Sequence, residues 1–165
     1  MSDLDIHSPK GKVSLADEAI AASIFEKRYP GLYYINTDKD GTATVDGLII
    51  SKQRQLLATV ETKCRYDMDL RKFRTQYKSE WLVTKEKIDD AQVVAYGLNT
   101  KLVGFLYIVP SITLLTKDLW IPDRGWVCPM YNKITPTQAT INGGLATRDN
   151  YFIDMTGAEE TEFEF

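Results

Sequence analysis

A chain of 165 residues, 44% of them hydrophobic, can bury one sizeable core but is too short for two ordinary domains. No apolar run approaches about 18 residues, and Met1-Ser2-Asp3-Leu4-Asp5 lacks the basic and apolar regions of a signal peptide, so a soluble, cytoplasmic protein without a membrane span is expected. The net charge of −3 is unevenly spread: Lys52 to Lys87 holds ten Lys or Arg against five acids, a local balance of +5 that leaves −8 for the remainder. Two cysteines far apart, Cys64 and Cys128, and a single histidine, His7, argue against a disulfide scaffold, a structural zinc site and a histidine-dependent triad.

In chain order, Leu15 to Tyr29 reads as an amphipathic helix, with Ser14 as N-cap, apolar area from Ala19, Ala22, Ile24 and Phe25, and a stop at Pro30-Gly31. Thr42 to Ile50 and Gln55 to Lys63 are rich in Val, Ile, Leu and Thr. The polar Ser51-Lys52-Gln53-Arg54 between them predicts a β-hairpin. Arg65, Arg71, Lys72, Arg74 and Lys78 follow, interleaved with Tyr66, Phe73 and Tyr77. Such a segment can hold phosphates while an aromatic ring meets an unstacked base. It is equally a solvated helix with Leu70, Phe73, Tyr77 and Trp81 as its core stripe. A helix capped by Asp89 or Asp90 then carries Gln92 and Tyr96 four positions apart on one face, and Val103 to Val109 is a strand. Beyond it, Ile112 to Leu119 is a strand and Pro122 to Gly125 a turn; Thr137 to Ile141 and Ala146 to Ile153 pair around Asn142-Gly143-Gly144. Trp120, Trp126 and Tyr131 are expected to pack on the sheet. Residues 158–165 carry four acids and no base and read as a tail, either solvated or docked on a partner or on the basic groove.

The chemistry concentrates in the hairpin. Alternate residues of a strand share a face, so Glu61 and Lys63 point one way while Thr62 points the other and offers its carbonyl. Pairing of the two runs brings Asp46 near Glu61. Facing carboxylates repel unless a cation lies between them, and Asp46, Glu61, the Thr62 carbonyl and water suit a hard ion such as magnesium. The implied chemistry is metal-assisted attack on a phosphate with Lys63 as fixed positive charge. The competing reading is a surface ion pair of little energetic consequence. The pair's place at the end of an apolar strand, where charge would be half-buried, favours function.

With an acid, a hairpin and Glu-x-Lys in this order, the chain resembles the PD-(D/E)xK nuclease superfamily. The Gln-x-x-x-Tyr helix, Trp81 before it and the strand after it resemble the RecB-type and lambda-exonuclease-type branch; the likeness covers roughly Ser14 to Pro110. It implies a restriction-endonuclease-like core, helix, three strands, helix, strand (α-βββ-α-β), with a mixed α/β sheet flanked by helices. The domain would span residues 1–157, with the core at about 14–110 and a β-rich addition at 111–156. It further implies Glu18, rather than Glu26, as the helical acid completing the metal site with Asp46, Glu61 and Thr62, and Gln92 and Tyr96 as residues positioning metal-site groups or a DNA end. Val45 stands where the family carries its proline, and the basic partner usual on the Gln-Tyr helix is absent from Ile88 to Thr100. The expected activity is magnesium-dependent (manganese as substitute) DNA hydrolysis, leaning to an exonuclease or end-processing role in recombination or repair, of phage origin in one reading. A restriction- or homing-type endonuclease and a catalytically inactive nucleic-acid-binding module are the alternatives. DNA is the expected partner, with homo-oligomers and a protein bound through the tail left open.

Overall fold

The protein is described here from a computed structural model covering residues 9–37, 44–138 and 145–162. Helix α1 (Pro9–Arg28) precedes strands β1 (Leu32–Asn36), β2 (Gly47–Ser51) and β3 (Leu56–Arg65). Helix α2 (Leu70–Thr75), β4 (Glu80–Thr84), helix α3 (Lys85–Leu98) and β5 (Lys101–Ile108) follow. The chain closes with β6 (Thr113–Ile121), β7 (Gly125–Trp126), β8 (Met130–Gln138), β9 (Leu145–Asp154) and β10 (Glu159–Glu162). A central sheet has the order β1-β2-β3-β5-β6-β10 with β7 beside β6, and a smaller one has the order β4-β9-β8.

The first three strands form an antiparallel meander, and β5 returns parallel to β3 after α3. This is the α/β class and mixed sheet read from the sequence. Parallel neighbours need a long crossover, and α3 supplies it. Strand β5 is apolar along nearly its whole length because both of its faces are covered. Val103, Phe105 and Tyr107 join Ala58, Val60 and Cys64 of β3 under Ala21, Ile24 and Phe25 of α1. Leu102, Leu106 and Ile108 point the other way, into a second core with Trp81 and Val83 of β4, Ile88, Ala91 and Ala95 of α3, and Ile153 of β9. Among the described residues, no helix is long and apolar enough to cross a membrane.

Several expected boundaries move. Helix α1 begins at Pro9 rather than at a Ser14 cap, since proline is tolerated in a first turn and the helical pattern continues through Ser14. Strand β2 begins only at Gly47, leaving Val45 and Asp46 in the bend before it; residues 42 and 43 lie outside the described residues. The basic helix stops at Thr75, because Lys78 and Ser79 adopt left-handed backbone conformations with φ of 54° and 60°. Beyond that break Glu80–Thr84 alternates in burial as a strand, so Trp81 enters the core from β4 and Tyr77 is left exposed. Helix α3 starts at Lys85 after Thr84, one turn before the expected Asp89 or Asp90 cap. Asp89 lies within the helix, paired with Lys85 and accepting a hydrogen bond from the Tyr151 hydroxyl at 2.7 Å.

The acidic end is also corrected. Residues 159–162 are not a free tail but the edge strand β10, antiparallel to the Thr113–Thr116 segment of β6. Glu159 accepts a hydrogen bond from Tyr29, just past the end of α1, and Glu160 pairs with Arg74 of α2, so its acids tie the strand to both neighbours. The β8–β9 hairpin is present and longer than expected; its Asn142-Gly143-Gly144 turn lies outside the described residues. Trp120 is buried, whereas Trp126 and Tyr131 are exposed and meet Tyr151 and Phe152.

Trp81 reaches the central sheet over Gly104, where an added Cβ would lie 2.6 Å from the indole ring. Gly104→Ala is therefore expected to cost about 1–3 kcal/mol in urea unfolding through overpacking, part of it recovered by adding Trp81→Phe. Unchanged stability in the single variant would refute this seating.

Candidate functional site

The two faces of β3 divide the site. Residues 59, 61 and 63 face α3, and residues 58, 60, 62 and 64 face α1. Asp46 joins them from the bend before β2. Its backbone N–H donates to the Val60 carbonyl at 3.1 Å, its carbonyl accepts from the Thr37 N–H at 3.2 Å, and its Oδ2 accepts from the Thr62 N–H at 2.8 Å. The hairpin thus delivers Asp46 against Glu61, as the sequence predicted.

Glu61 is only 4% exposed. Burial pushes its carboxyl well above the usual carboxylate range, and the Asp46 charge and a hydrogen bond between the two side chains push it further. Lys87 opposes the shift and Glu18 adds to it. On the same face Lys63 is half-buried, and desolvation with the neighbouring Arg65 and Lys87 charges lowers its ammonium to about 8. Trp81 walls this region with hydrocarbon, since Gly104, over which it sits, is the register partner of Glu61.

Glu18 lies close enough to raise Glu61, Cys64 and the phenol of Tyr34 electrostatically. Glu26 is engaged elsewhere, its Oε1 accepting from the Tyr34 backbone N–H at 2.8 Å, so of the two helical acids it is Glu18 that stands by the site. Among the described residues, no three His, Cys, Asp or Glu side chains converge into a ready cation cage. The acids in hydrogen-bond contact are two, Asp46 and Glu61. Burial of Glu61 against the Asp46 charge favours a proton or a cation there, and carboxylate oxygens beside a strand backbone are the donors a hard cation prefers.

Gln92 and Tyr96 are not brought to the acids. Nine residues separate Lys87 from Tyr96, which places them roughly 180° apart around α3, and Gln92 is about 140° from Lys87. Tyr96 is 73% exposed and packs edge-on against Trp120 of β6, ring centroids 6.4 Å apart. The base that α3 does present to the acids is Lys87, which a helix capped at Asp89 or Asp90 leaves outside. Its signal was the Lys85-Glu86-Lys87 run directly after the β4 pattern. Tyr34 and Gly47 were missed as well, having no motif to mark them.

The basic segment is partly internal. Arg65 turns inward and donates to the Leu82 carbonyl, its guanidinium pKa lowered by burial, so it is not a surface contact for DNA. Arg74 is occupied by Glu160, and Lys72 Nζ reaches the Asp67 carbonyl at 3.4 Å. Arg71 and Lys78 are exposed. Cys64 is a free thiol, buried and raised to about 12, which makes it unreactive.

Among known proteins, no family model and no curated sequence matches this chain.

Folded Glu61 keeps its proton to higher pH than the unfolded chain does. Metal-free stability therefore falls as pH rises from about 4.3 through the raised folded value. In chelator, Glu61→Gln should flatten that dependence and melt higher than wild type at pH 7.5, by at least the roughly 2 °C that 1 kcal/mol produces in a chain of this size. Parallel wild-type and variant curves would show that Glu61 holds no extra proton.

Proposed function

We propose that this protein is a magnesium-dependent nuclease hydrolysing DNA phosphodiesters, built on a PD-(D/E)xK-like core. The observation that carries the reading is the buried Glu61 carboxyl in contact with the partly exposed Asp46 carboxyl, with Lys63 two residues along the same strand face. The order helix, three-strand meander, helix, parallel strand supports it, as does the position of Glu18. Burying one acid against the charge of another has no structural benefit, whereas hydrolysis of a phosphodiester needs both a cation site and a fixed positive charge.

Asp46, Glu61 and the Thr62 carbonyl would hold the magnesium ion, with Glu18 contributing through water or a second ion. When bound, the ion supplies charge that polarises the phosphate and eases loss of a proton from water. Lys63, lowered toward neutrality, is suited to orient or deprotonate the attacking water, and when protonated it offsets charge on the phosphorane-like transition state. Lys87 adds a second cation from α3, placed to meet a non-bridging phosphate oxygen. Exposed Arg71 and Lys78 are the remaining phosphate contacts of the basic segment. Gln92 and Tyr96, on the far margin of α3, would touch DNA rather than the metal, which weakens the exonuclease leaning without removing it. Digestion of linear and circular DNA, each single- and double-stranded, separates the alternatives: loss of circles identifies an endonuclease, loss of linear DNA alone an exonuclease, and binding without loss an inactive module.

Asp46→Asn and Glu61→Gln should each abolish most magnesium-dependent cleavage while the fold persists by circular dichroism. Lys63→Ala should lower kcat by about two to three orders of magnitude with DNA binding largely kept. Cleavage surviving in both acid variants would overturn the assignment.

A further inference from the structure

Tyr34 is an unusual residue to find beside an acid pair. It sits on β1, two strands from Glu61, yet its side chain reaches across the meander. At Gly47 an added Cβ would lie 2.2 Å from the Tyr34 ring and 2.3 Å from its hydroxyl, so the ring lies directly over the glycine that follows Asp46. The hydroxyl then lies 3.4 Å from Thr62 Oγ1. Its other side meets Phe105 of β5, ring centroids 5.7 Å apart, and its backbone N–H is held by Glu26 of α1. The phenol therefore touches both neighbours of the Asp46 carboxylate, the residue next to it in sequence and the residue whose N–H holds its Oδ2.

We propose that Tyr34 is a positioning residue, fixing the Asp46 carboxylate for cation binding by wedging its ring between Gly47 and Thr62. Gly47 is required for a matching reason: its side-chain position is the space the ring fills. A bend is the weakest place to hold a charged ligand, because bend residues lack a full ladder of hydrogen bonds. Asp46 compensates with backbone bonds to Thr37 and Val60, and the ring closes the remaining direction. Removing it leaves those bonds in place while the carboxylate gains freedom, which weakens a cation site more than it weakens the fold. This inference rests on the metal-dependent reading above and deepens it.

Calorimetric titration of the full chain with manganese or magnesium ions, with no DNA present, tests it directly. Tyr34→Phe keeps the ring and should bind within about twofold of wild type, whereas Tyr34→Ala should raise Kd by about tenfold or more, as loss of a group supporting a ligand does. Gly47→Ala should show a similar loss from the ring's displacement. The double variant Gly47→Ala/Tyr34→Ala should be no worse than Tyr34→Ala alone, a non-additivity that general destabilisation would not produce. At saturating metal, Tyr34→Ala should recover most of the wild-type kcat. A Kd for folded Tyr34→Ala equal to wild type, or strictly additive losses, would overturn the positioning role while leaving the nuclease reading intact. Absence of any ion binding by the wild-type chain would overturn both.

Discussion

Two carboxyl groups, the buried Glu61 and the partly exposed Asp46, meet at the junction of β2 and β3, and the surrounding elements hold them there. Removing ions from water costs several kcal/mol each, and a buried pair of like sign has no mutual attraction to offset that cost. The hairpin supplies proximity, the Thr62 N–H supplies a donor for one oxygen of Asp46, and Lys87 supplies partial charge compensation for Glu61. What remains uncompensated favours uptake of a proton by Glu61 or of a cation between the acids. This is the inverse of an exposed ion pair such as Lys101 with Asp118, which contributes at most about 1 kcal/mol and needs no explanation beyond solvation.

The alternation of β3 anchors the site. Its apolar residues on one face, Ala58, Val60 and Cys64, are locked beneath α1, so the strand cannot shift register without exposing them. That lock fixes Glu61 and Lys63 on the opposite face to within the tolerance of a β-ladder. The parallel partner β5 contributes its glycine at the position opposite Glu61, and Trp81 of the second sheet fills the space. A change at Trp81 would therefore reach the acid through its dielectric environment as well as through stability. The second sheet is in this sense part of the site, although it contributes no acid or base to it.

The hairpin, the Glu-x-Lys face and the parallel crossover were legible because period-two alternation and turn residues encode them locally. What was not legible depended on tertiary choices. Leu70, Phe73, Tyr77 and Trp81 satisfy a helical spacing, and only the left-handed turn at Lys78 and Ser79 reassigns Trp81 to a strand. Asp89 and Asp90 look like caps, yet the helix begins earlier because β4 ends at Thr84, and Lys87 gains its role from that one-turn extension. The acidic end reads as a tail by charge alone; its strand exists because β6 offers an open edge there, and Tyr29 and Arg74 wait on either side for its glutamates. The contact of Tyr34 with Gly47 joins residues 13 apart through strand register and has no local signature.

The charge asymmetry of the sequence takes a different meaning once these placements are known. Of the ten bases between Lys52 and Lys87, Lys63 and Lys87 stand beside the acids, Arg65 turns inward to the Leu82 carbonyl, and Arg74 and Lys85 are paired with Glu160 and Asp89. Only Lys52, Arg54, Arg71, Lys72 and Lys78 remain as surface charge, and Lys72 leans on a carbonyl. The excess is therefore less a basic stripe along a helix than a scattered set of cations, of which Lys63 and Lys87 stand by the partly buried Asp46–Glu61 pair. Charges in such a setting act strongly on one another and resist screening by salt, unlike an exposed stripe, whose reach ends within about 10 Å at 0.1 M ionic strength. Recognition of phosphate by this arrangement would depend more on fit at the acids than on long-range attraction, and the acidic remainder of the surface would oppose non-specific binding elsewhere.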